Sequence, residues 1–164
     1  PPAVPLAPGS ALPAIAVSDL DGREVPLSRL AAGPALLFFF KADCPATVVA
    51  AKVVPRFARV PGLAVVAVSQ DEIEEARELA AGSGWPGGVL LLRDPDPWPA
   101  SRALGVRATP TWFLVAPGGR IEMAAEGWAR DDANALAAAA ARLTDSTPVV
   151  VSRPDGPEPA LRPG

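Results

Sequence analysis

Cys44 is the one cysteine in the chain, and there is no histidine at all. The missing His excludes His-dependent triads, a His general base and His metal ligands. A single Cys excludes an internal disulfide, a CxxC redox pair and a thiolate zinc site. What remains is chemistry at one thiol, chemistry by carboxylates, or none. Cys44 follows the apolar run Ala35–Phe40 by four residues and directly precedes Pro45, a residue suited to the first position of a helix. The unsatisfied N–H groups and the positive dipole end at such a start favour thiolate over thiol. Lys41 adds positive charge nearby and Asp43 opposes it. The same position also suits a small buried hydrophobe, the ordinary state of a lone Cys. Thr109-Pro110 is the second feature, a proline at the opening of a strand. X-Pro bonds are trans in most folded settings.

Several elements must position these residues. Ala14–Ser18 and 23–27 flank Asp21-Gly22 as a hairpin, and Ser28 is expected to cap one helical turn through Leu30. Ala35–Phe40 reads as a strand buried on both faces. A helix follows from Pro45, with a kink expected at Pro55. Leu63–Ser69 reads as a strand, Asp71–Ala81 as a helix, Gly88–Leu92 as a strand and Ala100–Leu104 as a short helix closed by Gly105. Thr111–Ala116 and Arg120–Ala125 form a hairpin across Pro117-Gly-Gly119. Asp131 or Asp132 is expected to cap a last helix reaching Leu143. Strand–helix alternation in the middle demands parallel pairing through right-handed crossovers. The expected fold class is α/β, a mixed central sheet flanked by helices on both faces.

Composition bounds the rest. The 164 residues hold 49% hydrophobic and 20% charged residues, which fits one folded domain rather than a disordered chain. Net charge is −3, so no basic excess exists to draw nucleic acid. No run of 18 apolar residues is present, so no transmembrane segment is expected. Of 21 prolines, five lie in residues 1–13 and five in 148–164. These ends read as an arm over 1–13, including Pro1 and Pro2, and a tail over 144–164, with the domain spanning 14–143. The tail is expected to be disordered or to hug the surface, with Val149–Val151 free to join an edge strand or a partner.

Four blocks carry a family resemblance: Asp19-Leu-Asp-Gly-Arg-Glu-Val-Pro-Leu-Ser28, Leu36-Leu-Phe-Phe-Phe-Lys-Ala-Asp-Cys-Pro45, Gly105-Val-Arg-Ala-Thr-Pro-Thr-Trp-Phe-Leu-Val115 and Pro117-Gly-Gly-Arg-Ile121. In this order, over about residues 10–143, the chain resembles thioredoxin-fold redoxins of the TlpA-like and AhpC/TSA-like branch. The resemblance implies a thioredoxin-like fold with an N-terminal β-hairpin extension and an irregular Pro-rich C-terminal tail. It implies Cys44 as the nucleophile, Pro110 as a cis-proline opposite it and Thr109 as a backbone partner for an extended substrate. Thr47 stands where the resolving cysteine of CxxC would be. Its hydroxyl can hold the Cys44 thiolate, or it can simply back-bond to the helix. The peroxidase pattern P-x-x-x-T-x-x-C is also broken, with Leu37 and Lys41 in its Pro and Thr positions.

The expected function is thiol–disulfide exchange through a single nucleophile, a CxxT site. Cys44, Thr47 and Pro110 are its catalytic residues, and Thr109, Lys41 and Pro45 its substrate-binding residues. Two alternatives stay open: a one-cysteine, peroxiredoxin-like peroxidase and a non-catalytic redoxin-fold binding module. The expected partner is a protein or small-molecule disulfide or thiol, or a peroxide. No cofactor and no metal are expected. A single thiol suits the cytoplasm, although TlpA-like relatives also work outside it. The chain opens without Met, consistent with processing or a longer parent, and a resolving cysteine past Gly164 would change the mechanism. Other candidates read as structural: Glu72, Glu74 and Glu75 as a solvated helix face, Trp85, Trp98 and Trp112 as packing, and Asp94-Pro-Asp96 as turn chemistry.

Overall fold

The computed structural model describes residues 4–85 and 87–164, so Pro1 and Pro2 of the expected arm lie outside the described residues. Its spine is β3 (Ala35–Phe40), every residue of which is buried. The run Ala-Leu-Leu-Phe-Phe-Phe can be apolar throughout because both of its faces are covered. Leu36, Phe38 and Phe40 enter one apolar cluster, and Ala35, Leu37 and Phe39 enter another. This is the period-two alternation of a central strand.

Around it lie β1 (Ala16–Ser18), β2 (Glu24–Pro26), β4 (Ala64–Ser69), β5 (Leu90–Arg93), β6 (Thr111–Val115) and β7 (Ile121–Glu126), in the sheet order β2-β1-β5-β4-β3-β6-β7. β3 pairs parallel with β4, and β4 with β5, while β6 and β7 run antiparallel. The N-terminal hairpin, β1 with β2, joins the sheet through the single pair Ser18–Arg93.

The helices are α1 (Leu27–Leu30), α2 (Pro45–Val53), α3 (Ile73–Gly82), α4 (Pro99–Leu104) and α5 (Arg130–Leu143). α2 and α5 cover the first cluster together with Trp85, Trp112 and Trp128. α1 and α4 cover the second with Leu27, Ala100 and Leu104. After α2 the chain tightens into a 3-10 helix, Val54–Arg59, in which Pro55 cannot supply an α-helical N–H. None of the described helices is long and apolar enough to cross a membrane.

Two caps differ from expectation. Ser28 lies inside α1, whose N-cap is the extended Pro26 without a side-chain bond. α5 starts at Arg130 with Ala129 as N-cap, so Asp131 and Asp132 fall in its first turn, where they meet the helix dipole instead of capping an N–H. Strand addition by the tail also falls elsewhere. β9 (Leu161–Arg162) pairs antiparallel with β8 (Trp128–Ala129), while Val151 is buried in the first cluster. The tail is ordered by polar partners that no periodicity reveals.

Candidate functional site

Cys44 is the N-cap of α2, extended at φ −80° and ψ 125°, with Pro45 as the first helical residue. Its N–H donates to the Lys41 carbonyl at 3.2 Å, and its carbonyl accepts from the Val48 N–H at 3.1 Å. The loop before it is pinned from a distance. Ala42 N–H donates to Asp71 Oδ2 at 2.9 Å, and Ser69 Oγ donates to the same oxygen at 2.8 Å. Ser69 ends β4, so the end of that strand fixes where the thiol sits. Asp71 is a positioning residue that no local motif reveals.

Opposite the thiol, the Thr109-Pro110 peptide is cis. Cys44 Sγ donates to the Thr109 carbonyl at 3.1 Å. The Pro110 carbonyl accepts from Gly127 N–H at 2.7 Å, and Arg107 holds Glu126 through two bonds of 2.9 Å, which brackets the turn. Burial pushes the thiol pKa up. Hydrogen bonds from the Thr47 N–H, the Thr109 side chain and the Ala46 N–H outweigh it and hold the pKa below the ordinary value. Thr47 Oγ1 is fully buried and forms no hydrogen bond among the described residues. Ionised sulfur is an acceptor, and that hydroxyl is a donor beside it.

The structure therefore gathers Cys44, Thr47, Thr109 and Pro110. Lys41 and Pro45 lie exposed on the rim. Lys41 meets Cys44 through its backbone carbonyl, and its ammonium is not among the groups that lower the thiol pKa.

Two further features border the site. On the β7–β8 side runs the segment Leu161–Gly164. Besides the β8–β9 pairing, Arg130 N–H donates to Ala160 O at 2.9 Å and Trp128 Nε1 to Pro159 O at 2.6 Å. Gly164 lies so close to Thr109 that a Cβ there would collide with the Thr109 carbonyl oxygen, the same oxygen that receives the Cys44 proton. Behind it the tail is anchored hard. Arg56 reaches both Glu158 oxygens at 2.9 and 3.2 Å, and Ser152 Oγ donates to Glu158 Oε1 at 2.9 Å. Asn134 Oδ1 receives the Val151 and Ser152 N–H groups at 2.9 and 3.1 Å. Arg130 also donates to the Glu158 carbonyl.

On the α4 side lies a cavity of about 300 Å³ that includes Thr109, Gln70, Trp98, Ser101 and Arg102. Trp98 is held at φ +57° and donates from its indole to Gln70 O at 3.1 Å. Buried Asp94 fixes this wall by accepting from the Ala100 and Ser101 N–H groups at 3.1 and 2.7 Å. Trp85 and Trp112 pack in the core, as Trp98 does not.

A family model described as AhpC/TSA family matches residues 8–124. No curated protein matches the chain. A putative thiol:disulfide interchange protein DsbE from Chlorobium tepidum superposes with a TM-score of 0.68 at 25% identity, over 80% of this chain and 93% of that one. The thioredoxin domain of a thiol-disulfide oxidoreductase from Bacteroides vulgatus gives 0.65 at 24%, over 78% and 93%. A secreted Mycobacterium tuberculosis disulfide oxidoreductase, described as homologous to E. coli DsbE, gives 0.60 at 17%, over 68% and 82%. The likeness establishes the thioredoxin-like fold.

Proposed function

Because the chain belongs to the AhpC/TSA family, we propose that it carries out thiol–disulfide exchange through Cys44 alone. The observation that supports this reading best is the pairing of the Cys44 thiol with Thr109 O at 3.1 Å beside the buried, unpartnered Thr47 hydroxyl. The neutral thiol has a place for its proton, and the thiolate has donors waiting. In the reaction the Cys44 thiolate attacks one sulfur of a disulfide RS–SR. A Cys44–S–S–R bond forms, the RS–SR bond breaks, and RS⁻ leaves to take a proton from solvent. Cys44 is oxidised and the departing sulfur reduced. Thr47 has no thiol to resolve this mixed disulfide, so an external thiol R′SH attacks it, regenerates Cys44 and leaves as R–S–S–R′. Thr47 holds the thiolate, Pro110 and Thr109 form the wall against which the disulfide aligns, and Pro45 and Lys41 edge the approach.

A peroxidase reading has less support. Leu37 is buried in the core and the Lys41 side chain is exposed, so neither presents a hydroxyl to a peroxide. Titrating thiolate absorbance tests the exchange reading. The expected result is a Cys44 pKa below the free-thiol value of about 8.5, with iodoacetamide labelling faster than for free cysteine at neutral pH. A pKa at or above that value with slow native-state labelling would overturn it in favour of a non-catalytic binding module.

A further inference from the structure

The two borders of the thiol differ in what they admit. On the β7–β8 side, Leu161 and Arg162 complete a two-stranded sheet and Gly164 rests on the Thr109 carbonyl, so the chain itself fills the position an extended polypeptide would take beside Cys44. On the α4 side the cavity is open, and two of its polar side chains have no partner among the described residues. Ser101 Oγ is buried and without a partner among the described residues. Arg102, exposed in the last turn of α4, forms no ion pair among the described residues. Arg107 at the same rim is already neutralised by Glu126. The half-buried Trp98 and Val106 supply an apolar wall. An exposed, unpaired guanidinium beside an apolar wall, with Ser101 in the lining, suits a short carbon chain ending in a carboxylate. Cys44 does not line this cavity, but Thr109 belongs both to it and to the thiol's hydrogen bond, so a ligand seated there is one residue away from Sγ.

We propose that the disulfide partner of Cys44 is a low-molecular-mass, carboxylate-bearing thiol or disulfide held in the Trp98–Ser101–Arg102 cavity, and that the segment Leu161–Gly164 excludes polypeptide disulfides. This rests on the exchange reading above and names its substrate class. The step is the one already balanced, with R a short chain carrying the carboxylate.

The test measures Cys44 mixed-disulfide formation by mass, with rates scaled to those of free 2-mercaptoethanol. The probes are 3,3′-dithiodipropionate, bis(2-hydroxyethyl) disulfide, cystamine and the disulfides of insulin. The expected order is anionic over neutral over cationic, with each step up to about fivefold, as befits an exposed guanidinium. Arg102→Gln levels that order, and Ser101→Ala lowers the anionic rate. Deleting Leu161–Gly164 raises the insulin rate about tenfold, the worth of a few lost hydrogen bonds, and leaves the small disulfides within twofold. A flat order in the intact protein, or an insulin rate indifferent to the deletion, overturns the inference while the reactive thiol stands. Reaction with none of the four probes above the free-thiol rate overturns the exchange reading itself.

Discussion

The two proline-rich ends of the chain have similar compositions, but only one is held by side chains as well as by backbone pairing. Between Pro5 and Pro13 the N-terminal arm is fixed by backbone bonds: Leu6 N–H to Leu104 O, Gly9 N–H to Ile121 O, Ile121 N–H to Ser10 O and Leu12 N–H to Gly119 O, all at 2.8–3.0 Å. Leu6 and Leu12 pack on the second cluster. No side-chain hydrogen bond joins it among the described residues. The C-terminal tail adds to the β8–β9 backbone pairing a set of side-chain bonds from Arg56, Asn134, Arg130 and Glu158, and it leads to the thiol. Backbone pairing to a sheet edge is indifferent to pH, whereas a carboxylate-centred network is not. One end is scaffold, and the other can respond.

The largest expected break in that contrast comes from Glu158→Gln. Arg56 loses its carboxylate in a largely buried setting, at a cost of about 2 kcal/mol. Hydrogen exchange should quicken at Ala129 and Arg130, and Cys44 alkylation should rise, while Leu6, Gly9 and Ile121 keep their protection. Acid should reproduce the effect. The Arg56 hydrogen bonds hold the folded Glu158 pKa below its ordinary value despite burial, which raises it. A depressed folded pKa gives stability that is present above the unfolded value, about 4.3, and lost as pH falls through the folded value. The tail should therefore loosen below pH 4 or so in the native protein and not further in Glu158→Gln. Equal loss at both ends would dissolve the contrast.

A smaller effect separates two glycines, each in the left-handed region and each pressed against one end. At Gly105, φ +76°, a Cβ would collide with the Val4 carbonyl. At Gly127, φ +71°, it would lie 2.9 Å from Gly164 N and 3.2 Å from Arg162 O. Alanine at either site should lower stability by about 1–2 kcal/mol, read by thermal melting. Only Gly127→Ala should speed Cys44 labelling. The smallest expected effect is that of Thr47→Val, which touches neither end. Losing a donor to the thiolate should slow alkylation at neutral pH by about threefold. Losing a buried, unpartnered hydroxyl should leave the melting temperature equal or higher.

The sequence carried the scaffold and the candidate nucleophile further than their surroundings. Ala35–Phe40 could be read directly, since a continuous apolar run between Gly33-Pro34 and Lys41 has few other uses. Cys44 before Pro45 was legible as a helix start, and Thr109 and Pro110 became legible through family resemblance. Asp71 was not, because its bond to Ala42 spans 29 residues and leaves no local pattern. The contacts that hold the tail to the surface were not legible for the same reason: Arg56 and Glu158 are 102 residues apart. Asp94 read as turn chemistry and proved to be a buried clamp on α4, which shapes the cavity wall at Trp98 and Ser101.

The docking of Gly164 on the Thr109 carbonyl makes the strand pairing of Leu161–Arg162 a tether. Whatever chemical group is attached at that position meets Cys44 as an intramolecular neighbour, at an effective concentration on the order of millimolar or above. A thiol placed there would outcompete dilute thiols from solution for the Cys44 mixed disulfide. A bulky group placed there would shield the sulfur continuously. The tether thus converts a choice about one residue at position 164 into a choice about how the whole site turns over.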